Sequence, residues 1–316
     1  MDKVGGKRNY GYGKQLAWAG KNALADHYGE GHYSTRASHT ERWNQFVQFL
    51  KTEGIKDARY ITVHTVKTYA THLKQLVDEE DMKVAYAQNL LSTVNIVMAA
   101  MRKNKALTLK PAQWVGTRCT VRTTVPTTLA RSCTDGPFQR LRLHGEERTL
   151  HVAQLTRTFG LRFKEASLLN TRQALRQAER LGRINIIQGT KGGRGKGVNR
   201  WVPVNQQQLD LLREATELQG TAKNLIPPDK SYIQWRDHAY YQWRSVNKDT
   251  DIKGFHDMRA AYACERYMEL TGCPAPVVAG TRQADKALDT QARVILSQEI
   301  GHNRLDVLAA YIGSSK

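Results

Sequence analysis

The sequence predicts a mainly α-helical fold carrying one small β-hairpin, and three observations support this. Apolar residues recur at helical spacing between Thr40 and Ala106 and again beyond Pro137. Two short β-branched stretches, Arg183–Gln188 and Asn199–Val204, flank the glycine-rich run Gly189–Gly197, which reads as a flexible hairpin turn. At 316 residues, 40% apolar and 24% charged, the chain is ordinary globular material with room for two domains of about 100–200 residues each.

Residues 1–36 contain Gly5, Gly6, Gly11, Gly13 and Gly20 with little periodicity, and read as a basic flexible arm. Residues 37–106 read as a compact helical module. Trp43, Phe46, Val47 and Leu50 mark its first helix, which stops at Gly54. Val66, Tyr69, Leu73 and Leu76 mark a second, and Leu90, Leu91, Val94, Val97, Met98 and Met101 a third. Residues 107–136 are expected to form an extended basic linker, because Lys103–Thr128 mixes Lys103, Lys105, Lys110, Arg118 and Arg122 with Pro111, Pro126 and threonines. Residues 137–316 make the second domain: helical to Leu175, then the hairpin, then helices interrupted at Pro227–Pro228.

Composition excludes several classes of function. Lys and Arg number 48 against 29 Asp and Glu, a net charge of +19 with a pI of about 9.9. Such an excess calls for a polyanion, and nucleic acid rewards each well-placed cation by releasing counterions. The longest clean apolar run, Ile96–Met101, is far below the ~20 residues that span a bilayer, and residues near Met1 lack an apolar signal core. The expectation is therefore a protein neither membrane-inserted nor secreted. Cys119, Cys133, Cys264 and Cys273 are too sparse for a disulfide framework or a zinc ribbon, and read as thiols in a reducing compartment.

Nucleotide and metal motifs fail in detail. A P-loop begun at Gly192 reaches Gly197 but continues with Val198 and Asn199 where Lys and Ser/Thr are required, and no G-x-G-x-x-G opens a helix. There is no H-E-x-x-H and no paired His/Cys cluster. Neither metal nor nucleotide cofactor is expected. Chemistry is then left to cationic side chains, which suit phosphoryl transfer because they stabilise the negative charge gathering on phosphorus.

Four local signals supply such groups in order: Phe159-Gly160-Leu161-Arg162-Phe163-Lys164-Glu165, with Glu165 placed to orient Arg162; Lys191 on the hairpin; Phe255-His256-Asp257-Met258-Arg259; and Gly301-His302-Asn303-Arg304-Leu305-Asp306-Val307, with Tyr311 nine residues after His302. Each alone has a plainer reading, respectively a surface ion pair, a solvated turn, a helix cap and a core aromatic. The ordered set resembles the tyrosine recombinase (phage integrase) family. The Gly-His-x-Arg-x-Asp-Val-x-x-x-Tyr ending and Thr271–Pro276 look closest to the integrases of bacterial integrative elements. The resemblance covers 137–316; over 37–106 it rests on a helical pattern like the family's SAM-like core-binding domain.

The resemblance implies a site-specific recombinase that cleaves and rejoins DNA through a 3′-phosphotyrosyl link, integrating or excising a mobile element. Tyr311 would be the nucleophile, and since a phenol titrates near ~10, attack at neutral pH needs a proton acceptor. Arg162 and Arg259 would clamp the non-bridging oxygens, and Lys191 would protonate the departing 5′ oxygen. His256 would assist proton transfer, His302 would donate to the phosphate, and Glu165 would orient Arg162 or His256. Duplex DNA would be gripped by both domains, with Arg194, Lys196, Lys103, Lys105, Lys110, Arg118 and Arg122 on phosphates. A homotetramer on synapsed sites, an accessory directionality factor and a place in the bacterial cytoplasm at the nucleoid complete the expectation. The 43 residues from Arg259 to His302 exceed the family's common spacing, so Thr271–Leu288 is expected to be an exposed inserted loop. Only Ile312–Lys316 follow Tyr311, where many relatives carry a helix that docks on a neighbouring protomer. A type IB topoisomerase and a non-cutting regulator descended from a recombinase are the rival readings.

Overall fold

The computed structural model describes residues 5–191, 197–302 and 304–315, and the chain divides into two compact units, 1–119 and 120–316.

Among its described residues the first unit holds five α-helices: α1 (Leu16–Tyr28), α2 (Tyr33–Thr52), α3 (Val63–Asp78), α4 (Val84–Arg102) and the short α5 (Pro111–Val115). Leu24, Trp43, Phe46, Leu50, Val66, Leu73, Leu90, Val94 and Val97 close its core. α4 passes as a membrane span by length and composition, but it is the central core helix, buried by its neighbours on the apolar side.

The unit begins earlier than the sequence suggests. The supposed arm of residues 1–36 contains α1, whose Leu16, Ala19, Ala23 and Leu24 are buried against α2 and α4. The indole Nε1 of Trp43 donates to the Leu16 carbonyl at 2.9 Å. Gly20, which reads as a loop signal, is a packing residue: a Cβ there would lie 2.0 Å from Trp43 Nε1. Even Asn9 is buried, its backbone N–H donating to Asp57 Oδ1 and its Oδ1 accepting from the Ala58 N–H. Small residues let the helices approach closely but carry little hydrophobic signal, which is why this stretch resembled a tail.

The expected linker at 107–136 is likewise absorbed. Leu107, Leu109 and Val115 are buried in the first unit, with α5 against α3 and α4. From Thr120 the chain belongs to the second unit, where the Arg122 N–H donates to the Ala309 carbonyl at 2.8 Å.

The second unit comprises α6 (Asp135–Leu143), α7 (Glu147–Phe159), α8 (Phe163–Leu168), α9 (Thr171–Leu181), β1 (Arg183–Asn185), β2 (Trp201–Pro203), α10 (Gln206–Gln219), α11 (Tyr232–Val246), α12 (Phe255–Thr271), α13 (Pro276–Ala279), α14 (Lys286–Glu299) and α15 (Ala309–Ile312). Caps set several boundaries: Asn205 with Gln208 and Ser231 with Gln234 form capping boxes on α10 and α11. β1 and β2 pair antiparallel with Ile184 opposite Val202, the one sheet among the described residues. α12 is buried along most of its length, packed by α7, α14 and α15. The mainly helical class with a single hairpin is thus the observed architecture.

Thr271–Leu288 is an ordered helix–turn–helix path rather than an open loop, although Gly272, Gly280, Thr281, Gln283 and Asp285–Ala287 are exposed. Gly272 ends α12 in the left-handed region, Ala275, Pro276 and Val277 are buried, and Asp285 caps α14 by accepting from the Ala287 and Leu288 N–H groups at 2.9 and 3.0 Å. Its glycines, Gly272 and Gly280, end α12 and α13 in positive-φ conformations, and Pro276 opens α13.

Candidate active site

Glu165 is the centre from which the site is built. α7 ends at Gly160 (φ +60°), where a Cβ would fall 2.3 Å from the Tyr262 ring, so glycine is needed for both the turn and the packing. The turn delivers Arg162 to the start of α8. Its N–H donates to Glu165 Oε2 at 2.8 Å and its Nη1 to Oε1 at 2.6 Å. Glu165 has no solvent exposure, and a carboxylate is buried this way only when paired. Arg200 Nη1 lies 2.7 Å and Arg259 Nη1 3.5 Å from Oε2. Burial pushes the carboxyl up, but Arg200, Arg259 and Arg162 together with the Arg162 N–H hold it at about 2. Three guanidinium groups against one carboxylate leave this cluster two positive charges in excess, a setting suited to a further anion.

Arg259, in the first turn of α12, is fully buried. Its Nη1 and Nη2 donate to the carbonyls of Gly160 and Ile300, and its Nε points at Tyr311 Oη, 3.4 Å away. Burial and the neighbouring Arg200 lower it to about 10, which leaves it charged at neutral pH. Tyr311, on α15, is 3% exposed. Its hydroxyl lies 3.0 Å from His302 Nε2, and the same nitrogen is 3.2 Å from Arg162 Nη2. A guanidinium only donates, so a hydrogen bond from Arg162 to Nε2 requires the tautomer that carries its proton on Nδ1. Burial first, then Arg259, Arg162 and Arg200, push His302 down to about 3. The His256 ring stands 5.3 Å from that of Tyr311 and is also lowered, by burial and then by Arg259, Arg122 and Arg162, although its outer edge meets solvent.

Of the residues expected from the sequence, Arg162, His256, Arg259, His302 and Tyr311 gather around the Tyr311 hydroxyl, with Glu165 beneath them. Lys191 is exposed and lines the same small cleft as Arg162, Glu165, Arg200 and Gly301. Lys103, Lys105, Lys110 and Arg118 are exposed on the first unit; Lys103 Nζ lies 2.7 Å from Asp26. Arg194 and Lys196 lie outside the described residues. Arg122 departs from its expected role on DNA: its Nη2 donates to buried Asp257 and its Nε to the Thr124 carbonyl at 2.7 Å. Asp257 also accepts from Thr127 Oγ1 and the Thr128 N–H, so the pair fastens 122–128 to the start of α12.

Arg200 escaped sequence reasoning. It is 4% exposed, and besides Glu165 it donates from Nε to the Glu299 carbonyl at 2.6 Å. Gly301 lets it pass, for a Cβ there would sit 2.9 Å from Arg200 Cδ. The signal lay in strand alternation: Arg200 and Val202 face inward together, and an inward arginine requires an acid. Chemically the site holds a buried phenol hydroxyl within hydrogen-bond reach of an imidazole, and surplus cations able to meet an anion.

The integrase family model matches residues 120–265. No curated protein matches the chain. Among solved structures it is similar to the Tn1549 transposon integrase in complex with circular intermediate DNA, at 11% identity and a TM-score of 0.59, covering 94% of this chain and 95% of that one. The same integrase bound to transposon right end DNA aligns with a TM-score of 0.60 at 11% identity, covering 94% of each chain. At that identity the likeness concerns the fold.

Proposed function

We propose that the chain, whose residues 120–265 match the integrase family model, is a tyrosine-type site-specific DNA recombinase that breaks and rejoins strands through a 3′-phosphotyrosyl intermediate, in the integration or excision of a mobile element. The observation that carries the reading is the placement of Tyr311 Oη between the lone pair of His302 Nε2, at 3.0 Å, and Arg259 Nε, at 3.4 Å. Tyr311 Oη attacks phosphorus while its proton passes to His302 Nε2. The phosphorus–O5′ bond breaks, and Lys191, on the rim of the cleft, supplies a proton to the departing 5′ oxygen. In the second half-reaction a 5′-hydroxyl attacks the phosphotyrosine, so the bond energy is retained and no cofactor is consumed.

The two arginines divide the work. Arg162, with its side chain 24% exposed, takes the phosphate oxygens; Arg259, 1% exposed and held by two carbonyls, acts on the phenol and the charge it shares with phosphorus. This reading gives His302 the acceptor role, where the resemblance implies a donor to phosphate. The reading extends to partners: duplex DNA, and a homotetramer on two synapsed sites, since exchanging both strands of two duplexes takes four cuts. An accessory factor setting direction and a place of action in the bacterial cytoplasm belong to the same reading.

The test is covalent trapping. Duplexes from the DNA flanking its gene, nicked next to candidate cleavage positions, should yield a protein–DNA adduct that survives denaturing electrophoresis. Tyr311→Phe should bind the same duplex and yield none. An adduct that persists in that variant places the nucleophile elsewhere, and relaxation of a supercoiled plasmid lacking any such site favours a topoisomerase.

A further inference from the structure

Beyond the reacting groups lies a buried acid that the proposed chemistry does not use. Asp289, on α14, has no solvent exposure. Its Oδ1 accepts from Tyr267 Oη at 2.7 Å, and both oxygens accept from Arg293 Nε at 3.0 and 2.9 Å. The remaining capacity of Oδ2 is taken by Ser315 Oγ at 2.7 Å, four residues after Tyr311. Two more bonds close on the same segment: Arg293 Nη1 donates to the Gly313 carbonyl at 3.3 Å and Arg282 Nε to the Ser315 carbonyl at 3.0 Å. Gly313 (φ +85°) presses on α13 so closely that a Cβ would meet the Val277 nitrogen at 2.7 Å. Every one of these partners of 313–315 comes from 277–293, which overlaps the end of the Thr271–Leu288 stretch expected from the sequence to be an inserted loop.

We infer that Asp289, Arg293 and Arg282 form a clip that fastens Gly313–Ser315 and thereby positions Tyr311 for its reaction; the inference rests on the functional reading above. α15 is a single turn of four residues, too short to hold its own shape. Upstream of Tyr311 it is anchored by the Arg122 N–H on the Ala309 carbonyl; downstream the clip supplies the second anchor. Tyr311 and Ile312 are packed against α12, and the clip adds the restraint on the chain beyond them that fixes the phenol relative to His302, where a misplacement of about 1 Å costs about 10²-fold in rate. The three clip residues are positioning residues, acting on the chain that follows Tyr311 and not on the reacting atoms.

The experiment uses the full chain with two mild surface changes, Ser315→Ala and Arg282→Met, singly and together, and Ser315→Thr as the variant that keeps the hydroxyl. Without DNA, amide exchange at Tyr311, Ile312 and Gly313 should speed up by about 10-fold or more in the double variant. With the nicked duplex at saturation, its single-turnover adduct rate should fall by about 10- to 100-fold while duplex affinity stays within about 2-fold, and Ser315→Thr should keep most of the wild-type rate. Unchanged exchange at 311–313 overturns the clip. Faster exchange with an unchanged adduct rate overturns its positioning role. If wild-type protein itself yields no adduct on any duplex, the functional reading fails instead, and the exchange measurement still decides whether the clip exists.

Discussion

At Glu165 a carboxylate without solvent exposure faces Arg162, Arg200 and Arg259, and its charge is what lets three guanidinium groups share one hollow. Glu165→Gln keeps the shape and removes the charge. Breaking a buried pair from one side costs about 3–5 kcal/mol, and a loss of that size should appear in urea unfolding. Acid tests the same cluster. Glu165 sits at about 2 in the fold against an ordinary value of 4.5, so its contribution is present above about 4.5 and disappears as pH falls towards 2. His302, at about 3 against 6.5, and His256, also lowered, act in the same direction: the unfolded chain takes up their protons first, so stability begins to fall below about 6.5. His302→Asn should flatten the decline of melting temperature between about pH 6.5 and 4.5 relative to wild type; an unaltered slope would mean that His302 titrates normally. The i,i+3 spacing of Arg162 and Glu165 was legible along the chain. Arg200 was not, because it reaches Glu165 across the hairpin and its partner is remote in sequence.

Helix α1 shows how an element hides. Its buried face is built of Leu16, Ala19, Ala23 and Leu24 around Gly20, where the missing side chain admits the Trp43 ring. This yields a test in which the sign is decisive. In a mobile arm, Gly20→Ala would be neutral or would favour helix by up to about 1 kcal/mol. Against the packed Trp43 ring, the added methyl should instead destabilise by about 1–3 kcal/mol, measurable as a lower urea midpoint and altered tryptophan fluorescence. α2, α3 and α4 were legible because large residues recur on one face of each. The hairpin was legible from its β-branched alternation, though the ladder itself is only three residues per strand. The 271–288 stretch misled for the opposite reason to α1: its glycines and prolines end α12 and shape α13, and local composition cannot distinguish an ordered turn between helices from an open loop.

Across the whole molecule, a net charge of +19 is far more than the site requires. Within the second unit several arginines are committed to internal pairs, which leave the net excess unchanged: Arg157 to Glu265, Arg266 to Glu299, Arg293 to Asp289 and Arg122 to Asp257. Lys105, Lys110 and Arg118 remain exposed on the first unit, as does Lys103 beside Asp26. Duplex binding should therefore be dominated by phosphate contacts, with affinity falling by about 10³-fold or more between ~50 and ~200 mM salt for a footprint of ~6–10 phosphates. Titration of a labelled duplex at several salt concentrations checks this, and a flat profile would count against a phosphate-driven interface.

The sequence by itself determined which helices large apolar residues would build, where the hairpin would turn, and the order of Arg162, Lys191, His256, Arg259, His302 and Tyr311, because periodicity and side-chain chemistry are local properties. Only the tertiary structure decided that residues 16–28 belong to a core, that Arg122 braces Asp257, that Arg200 completes the pairing of Glu165, and that Asp289 holds the segment after Tyr311. Each of those depends on a partner between 23 and 135 residues away, and neither spacing nor composition encodes which remote groups will meet once the helices pack.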